Sequence, residues 1–137
     1  MSMPDQDVAF TNWMSGKTFM VVEDVTSSRL LEAGLLRSLG ASKVMVATDG
    51  NDALGKLRLA ETAPDIIICD WIMPGMDGIT LLEAAKARFH STKFVMLTSK
   101  TDAADMELAK SKGVDGYIAK PFSRESLVAA LKRLMDN

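Results

Sequence analysis

The sequence predicts an α/β domain: one open, doubly wound parallel sheet of five strands flanked by five helices. Three observations predict it. From Lys17 onward, short runs of continuous apolar residues alternate five times with stretches of helical period. Strands with no polar alternation are covered on both faces, which is the pattern of a parallel sheet. The chain has 137 residues, enough for one core, and five strand–helix units are too few to close an eight-unit barrel.

Each element has its own justification. Residues 1–16 show no clear period; Phe10, Trp13 and Met14 are apolar, so this arm is expected either to be a frayed, disordered tail or to fold back on a domain spanning 17–137. Phe19–Val22 is the first strand. Leu31, Leu35, Leu36 and Leu39 mark a helix over 27–39, with Thr26 or Ser27 as its cap and Gly40 as its stop. Val44–Val46 is the second strand, and Ala53, Leu54, Leu57 and Ala60 place a helix over 52–60. Ile66–Cys69 is the third strand. Ile79, Leu82, Ala85 and Phe89 mark the third helix, capped by Asp77. Phe94–Leu97 is the fourth strand. The fourth helix covers 102–112 and stops before Gly113; Ala104 and Leu108 are its only evident anchors. Tyr117–Ala119 is a short fifth strand, and Leu127, Val128, Leu131, Leu134 and Met135 give the last helix a clean apolar face.

Composition narrows the class. The chain is 47% apolar and 25% charged, as expected of a folded globular domain. A net charge of -2 argues against direct nucleic-acid binding. No apolar run approaches the ~20 residues a membrane-spanning helix needs, and the N-terminus lacks a secretory signal pattern. Cys69 is the single cysteine, so no intrachain disulfide can form and a cytoplasmic location is expected. It is expected to be buried strand core, and His90, the one histidine, to be solvent-exposed.

The chemistry gathers at strand ends. In an open α/β sheet the site lies at the carboxyl edge, where strand order reverses. Glu23 and Asp24 follow the first strand, and Asp70 ends the third. Two unit charges about 5 Å apart repel by roughly 3 kcal/mol at an effective dielectric near 20. Three converging carboxylates therefore call for a hard divalent cation such as Mg²⁺. Thr98-Ser99 follows the fourth strand and Lys120-Pro121 the fifth. A hydroxyl and an ammonium at this edge can bind the oxygens of an anion, as phosphoryl transfer requires. Asp70 then reads as a nucleophile able to form an acyl phosphate.

Taken together, the acidic pair after strand one, DWIMPGMDG after strand three, LTS after strand four and GYIAKPF after strand five resemble the receiver domain of bacterial response regulators. The resemblance covers roughly 17–136. ATDGNDALGKL, DWIMPGMDG and GYIAKPF are most similar to the CheY-like, stand-alone chemotaxis members of that family. It implies the flavodoxin-like strand order 2-1-3-4-5. It also implies roles for individual residues. Asp70 is the phosphoacceptor. Glu23, Asp24, Asp70 and the backbone carbonyl of Ile72 hold Mg²⁺ or Mn²⁺. Lys120 pairs with the phosphoryl group, Thr98 moves to hydrogen-bond it, and Ser99 adds a contact. Tyr117 is the aromatic switch. The Lys120–Pro121 bond is often cis in such domains.

The implied function is that of a single-domain response regulator, a monomer, taking a phosphoryl group from a histidine kinase. Its output is binding to a protein target through the face formed by the fourth helix, fifth strand and fifth helix, with chemotaxis as the first pathway to consider. Three alternatives stand beside it. A receiver segment of a larger regulator or hybrid kinase would read the same way. An aspartate-nucleophile phosphatase would need a second acid two residues after Asp70, where Ile72 stands. An FMN binder would want a Gly/Ser/Thr-rich loop in place of Glu23-Asp24. Glu23 stands where aspartate is commoner in the family. Ile72 and Lys100 flank the path of a water attacking an acyl phosphate.

Overall fold

A computed structural model describes residues 5–137, with side chains from residue 8 onward. Its elements run α1 (Asp5–Ser15), β1 (Thr18–Val22), α2 (Thr26–Ser38), β2 (Lys43–Ala47), α3 (Gly50–Leu59), β3 (Ile66–Asp70), α4 (Gly78–Arg88), β4 (Lys93–Thr98), α5 (Ala103–Ser111), β5 (Gly116–Ala119) and α6 (Arg124–Asp136). The sheet has the order β2-β1-β3-β4-β5, and every pairing is parallel. Strand order reverses across β1 and β3, whose register pairs Val22 with Cys69.

The pleat sorts the core into two layers. Met20, Val22, Ile67, Cys69, Phe94 and Met96 pack beneath α3, α4 and α5. Phe19, Val21, Ile66, Ile68, Val95, Leu97 and Ile118 pack beneath α1, α2 and α6. Every residue of β3 is buried, which is what its unbroken Ile66-Ile67-Ile68-Cys69 run demands. Cys69 is fully buried, and its burial pushes the thiol well above the ordinary range. His90 is exposed.

The structure departs from the sequence reading in four places. There are six helices, not five, among the described residues. The additional one, α1, occupies most of the stretch read as an arm without period. Met14 is fully buried and Phe10 nearly so, in the layer beneath α2 and α6, with Trp13 half-buried and stacked on Phe10. Two anchors one turn apart in an 11-residue helix are too few to show a period. Residues 1–4 of the arm lie outside the described residues.

The second departure is at α2. It starts at Thr26, and neither Thr26 nor Ser27 caps it; Val25 stands at the cap position with no side-chain bond. Third, the buried face of α2 is Glu32, Ala33 and Leu36, while Leu31 is 57% exposed. Leu36 and Leu39 are buried and Leu35 packs against them, as expected; at the first turn of the stripe the core position belongs to Glu32 instead of Leu31. Fourth, the single buried residue of α5 is Ala109; Ala104 and Leu108 point outward. The other expected stops and caps are present. Gly40 closes α2 with φ +101°, and Asp77 accepts the Thr80 amide at 2.9 Å to cap α4.

Candidate functional site

The carboxyl edge of the sheet is where the chain concentrates charge. β3 ends at Asp70, only 7% exposed, and the loop that follows is held close beneath it. The Gly78 amide donates to the Trp71 carbonyl at 2.8 Å. A Cβ on Gly78 would stand 2.8 Å from both the Asp70 carbonyl oxygen and Trp71 Cα, so only glycine lets α4 begin this near to the strand end. Gly75, with φ +77°, turns the chain between them.

β1 delivers the neighbouring acids. The Glu23 amide donates to the Ala47 carbonyl at 3.1 Å, continuing the ladder past β1. The Glu23 side chain is fully buried, and its Oε2 accepts the Val25 amide at 3.2 Å. Asp24 is exposed. One carboxylate oxygen from each of Glu23, Asp24 and Asp70 lies within 4.8 Å of the others. Sequence reasoning expected this convergence, and the strand order produces it.

Lys120, just past β5, supplies the counter-charge. Its Nζ donates to Asp70 Oδ2 at 2.9 Å and lies 3.4 Å from Glu23 Oε1. Burial works to lower the ammonium's pKa, but the hydrogen bond and charge of Asp70, with Glu23 behind them, more than offset it and leave the value raised. Glu23 is shifted upward as well, first by burial and then by the charge of Asp70, against the pull of the Val25 amide and Lys120. One ammonium does not neutralise three carboxylates. The donor set of hard oxygens therefore fits a divalent cation.

The remaining expected residues are arranged around this centre. Thr98, the last residue of β4, is buried, and its Oγ1 accepts the Lys100 amide at 3.0 Å. Ser99 is exposed beside it. Tyr117 is half-buried and donates its hydroxyl to the Lys100 carbonyl. Burial, followed by the charges of Asp105 and Asp102, raises the phenol's pKa. Trp71 is nearly buried, its ring edge-on to Tyr117 with centroids 6.4 Å apart. Ile72 is 58% exposed at the mouth of the site, where a second acid would stand in a phosphatase. The Lys120–Pro121 bond is cis.

Sequence reasoning missed Glu32. This side chain is 3% exposed, and neither carboxylate oxygen has a hydrogen-bond partner. Burial, with the neighbouring carboxylate of Glu23, pushes its pKa up to about 8. A glutamate interrupting an apolar stripe was the available signal, and it was outweighed by the four leucines around it.

The open doubly wound sheet gathers three carboxylates and an ammonium at its switch point, a site suited to holding a cation and an anion together. Residues 19–132 match the family model of the response regulator receiver domain, and the chain belongs to that family. Among curated relatives, PilG of Pseudomonas aeruginosa is 39% identical over 119 residues, covering 85% of this chain and 86% of that protein. Chemotaxis protein CheY of the same organism is 33% identical over 119 residues, covering 85% and 94%. Among solved structures, the Vibrio cholerae chemotaxis protein CheY4 superposes with a TM-score of 0.78 at 32% identity, covering 85% of this chain and 97% of that one.

Proposed function

We propose that this receiver domain accepts a phosphoryl group on Asp70 from the phosphohistidine of a histidine kinase and switches protein binding in response. One observation carries the reading. The carboxylate ends a wholly buried strand with an ammonium 2.9 Å away, inside a cluster of three acids.

In the transfer, an Asp70 carboxylate oxygen attacks phosphorus. The bond from phosphorus to the imidazole nitrogen breaks, and its electron pair leaves with the imidazole. The product is an acyl phosphate. Glu23, Asp24, Asp70 and the Ile72 carbonyl would hold Mg²⁺ or Mn²⁺, which supplies charge neutralisation to the transferring group. Lys120 exchanges its bond with the Asp70 carboxylate for one with a phosphoryl oxygen. Thr98 turns its hydroxyl toward the same group, with Ser99 beside it, and Tyr117 follows Thr98 inward. The gain of about two negative charges biases an equilibrium between two existing conformations.

The face formed by α5, β5 and α6 receives the target. α5 suits this role because Met106 and Leu108 are 44% and 42% exposed and Ala109 alone anchors it. The chemotaxis proteins among the relatives support chemotaxis-type signalling as the pathway, and the match to 86% and 94% of the curated relatives' lengths supports a stand-alone form; a cytoplasmic monomer is part of the same proposal. No helix among the described residues is long and apolar enough to cross a membrane.

The test is labelling with acetyl phosphate and Mg²⁺. One acid-stable, base-labile phosphate is expected, absent from Asp70→Asn. Labelling that survives this substitution refutes the reading.

A further inference from the structure

The edge of the sheet opposite Asp70 carries charge that the proposed transfer does not use. α3 and α4 run back from the carboxyl edge, so their last turns lie at the amino edge, and those turns hold Lys56, Arg58, Lys86 and Arg88. The chain as a whole is acidic, with a net charge of -2. Two of the four cations are already matched: Lys56 lies 3.2 Å from Asp52, and Lys86 lies 2.6 Å from Asp115. Asp52 is the only acid of α3, and Glu83, the only acid of α4, is paired with Lys112 at 3.4 Å. Among the described residues no carboxylate pairs with Arg58 or Arg88. Both are exposed, and the Arg88 guanidinium lies 5.3 Å from the centroid of the Phe89 ring.

These two arginines line one cavity of about 210 Å³ between α3 and α4. Its other walls are apolar. Leu54, Leu57 and Phe89 face it, and Ala84 and Ala85 are too short to fill it. The volume is below the roughly 300 Å³ at which small-molecule pockets begin, so the recess takes a single side chain, not a cofactor or a nucleotide. Two unmatched guanidiniums beside an apolar recess are complementary to a segment that carries carboxylates around one apolar anchor. Nucleic acid fits poorly, because the chain is acidic and two cations neutralise too few phosphates.

We propose that the cleft between α3 and α4 docks an acidic segment of a partner protein, with one leucine or phenylalanine in the cavity and carboxylates on Arg58 and Arg88. The site does not depend on the reading of Asp70. It lies at the other edge of the sheet, so a docked segment tethers the domain and leaves the carboxyl edge free.

Arg58 and Arg88 could instead serve only the negative ends of their own helix dipoles. The test separates the two roles. The full chain, labelled with ¹⁵N and ¹³C, is titrated with a blocked synthetic peptide of one leucine flanked on both sides by glutamates and aspartates. Saturable shifts are expected at Arg58, Arg88, Leu57 and Ala84. Arg58→Gln and Arg88→Gln should each weaken binding about two- to fivefold. Glycine in place of the peptide's leucine should weaken it about tenfold or more. A peptide with lysines in place of the acids should not bind wild type, and should bind the double variant Arg58→Glu/Arg88→Glu. Asp70→Asn should bind the acidic peptide as wild type does. The proposal is overturned if about 1 mM acidic peptide moves no cleft resonance, since contacts of this kind predict binding in that range. It is also overturned if Arg58→Gln/Arg88→Gln loses stability in urea but binds the peptide like wild type, which leaves the arginines only their helix ends. Displacement of the peptide by inorganic phosphate or single-stranded DNA at equal concentration overturns it as well, as does binding that is lost in Asp70→Asn.

Discussion

Replacing Glu32 with glutamine should stabilise this domain, and increasingly so as pH rises. Glu32 is 3% exposed, no donor reaches either of its oxygens, and beside the Glu23 carboxylate its carboxyl keeps its proton up to about pH 8. The unfolded chain releases that proton near the ordinary value of 4.5. Between these two values the folded state binds more protons than the unfolded one, so stability falls as pH rises. The full contribution is present below about 4.5 and is gone above about 8. At 1.36 kcal/mol per pH unit, the interval sets a ceiling near 5 kcal/mol, of which about 3 kcal/mol is lost by pH 7. Residual structure in the unfolded chain and local relaxation reduce this to about 2–3 kcal/mol. Glutamine matches the shape, does not titrate, and can donate its amide to the Glu23 carboxylate. Urea unfolding of both chains, in chelator, at pH 5.5, 6.5, 7.5 and 8.5 tests this. Glu32 lies beside Glu23, so the difference between the two curves reports Glu32 together with its coupling to Glu23. It should widen by about 1 kcal/mol per pH unit across this range and level off above 8. Curves that stay parallel from pH 5.5 to 8.5 would refute the reasoning.

Two further outcomes follow from the same geometry. Lys120→Met removes the ammonium that, among the described residues, competes with a cation for Asp70 and Glu23, so divalent affinity should rise by about tenfold; Trp71 fluorescence during a Mg²⁺ titration measures it. Met14→Ala, which deletes a fully buried anchor of α1, should cost about 2–5 kcal/mol in urea unfolding, whereas a change below about 0.5 kcal/mol would mean that α1 contributes nothing to the core.

Legibility in the sequence tracked how many residues repeated each signal. Each strand was announced by a continuous apolar run, and β3 by four such residues followed at once by an acid. The site was legible because its parts fall at corresponding strand ends, so the strand pattern also located Glu23, Asp24, Asp70, Thr98 and Lys120. α1 escaped because its case rests on Phe10 and Met14 alone. Glu32 escaped for a different reason. Burial of a carboxylate breaks the rule that assigns polar residues to the surface, and its neighbours Leu30 and Leu31 break the same rule from the other side, at 62% and 57% exposure. Together they hide the core position of the first half of α2, while Leu35, Leu36 and Leu39 face the core as the pattern predicts. The link from Thr98 to Tyr117 through Lys100 runs through backbone atoms, which no pattern of side chains can announce.

The uneven anchoring of the two helical layers says where the charge of a phosphoryl group would be felt. On one side of the sheet, α1, α2 and α6 share a layer that buries Phe10, Met14, Leu36, Leu127, Leu131 and Leu134. On the other, α5 contributes Ala109 alone as a buried residue. Moving α2 or α6 would open a large apolar interface. Moving α5 would expose little, and the Lys100–Asp105 and Lys112–Glu83 pairs would have to part. The acids of the site also pull unequally. Glu23 is fixed by the Val25 amide and by Lys120, whereas Thr98 and Tyr117 are held through Lys100. Under the proposed function, negative charge added at Asp70 would therefore meet little packing resistance from α5, whereas α2 and α6 are held by a large apolar interface. On the proposed function, the response would run through α5, the helix with the least buried surface to lose, and the phosphoryl group would need only to supply the bias.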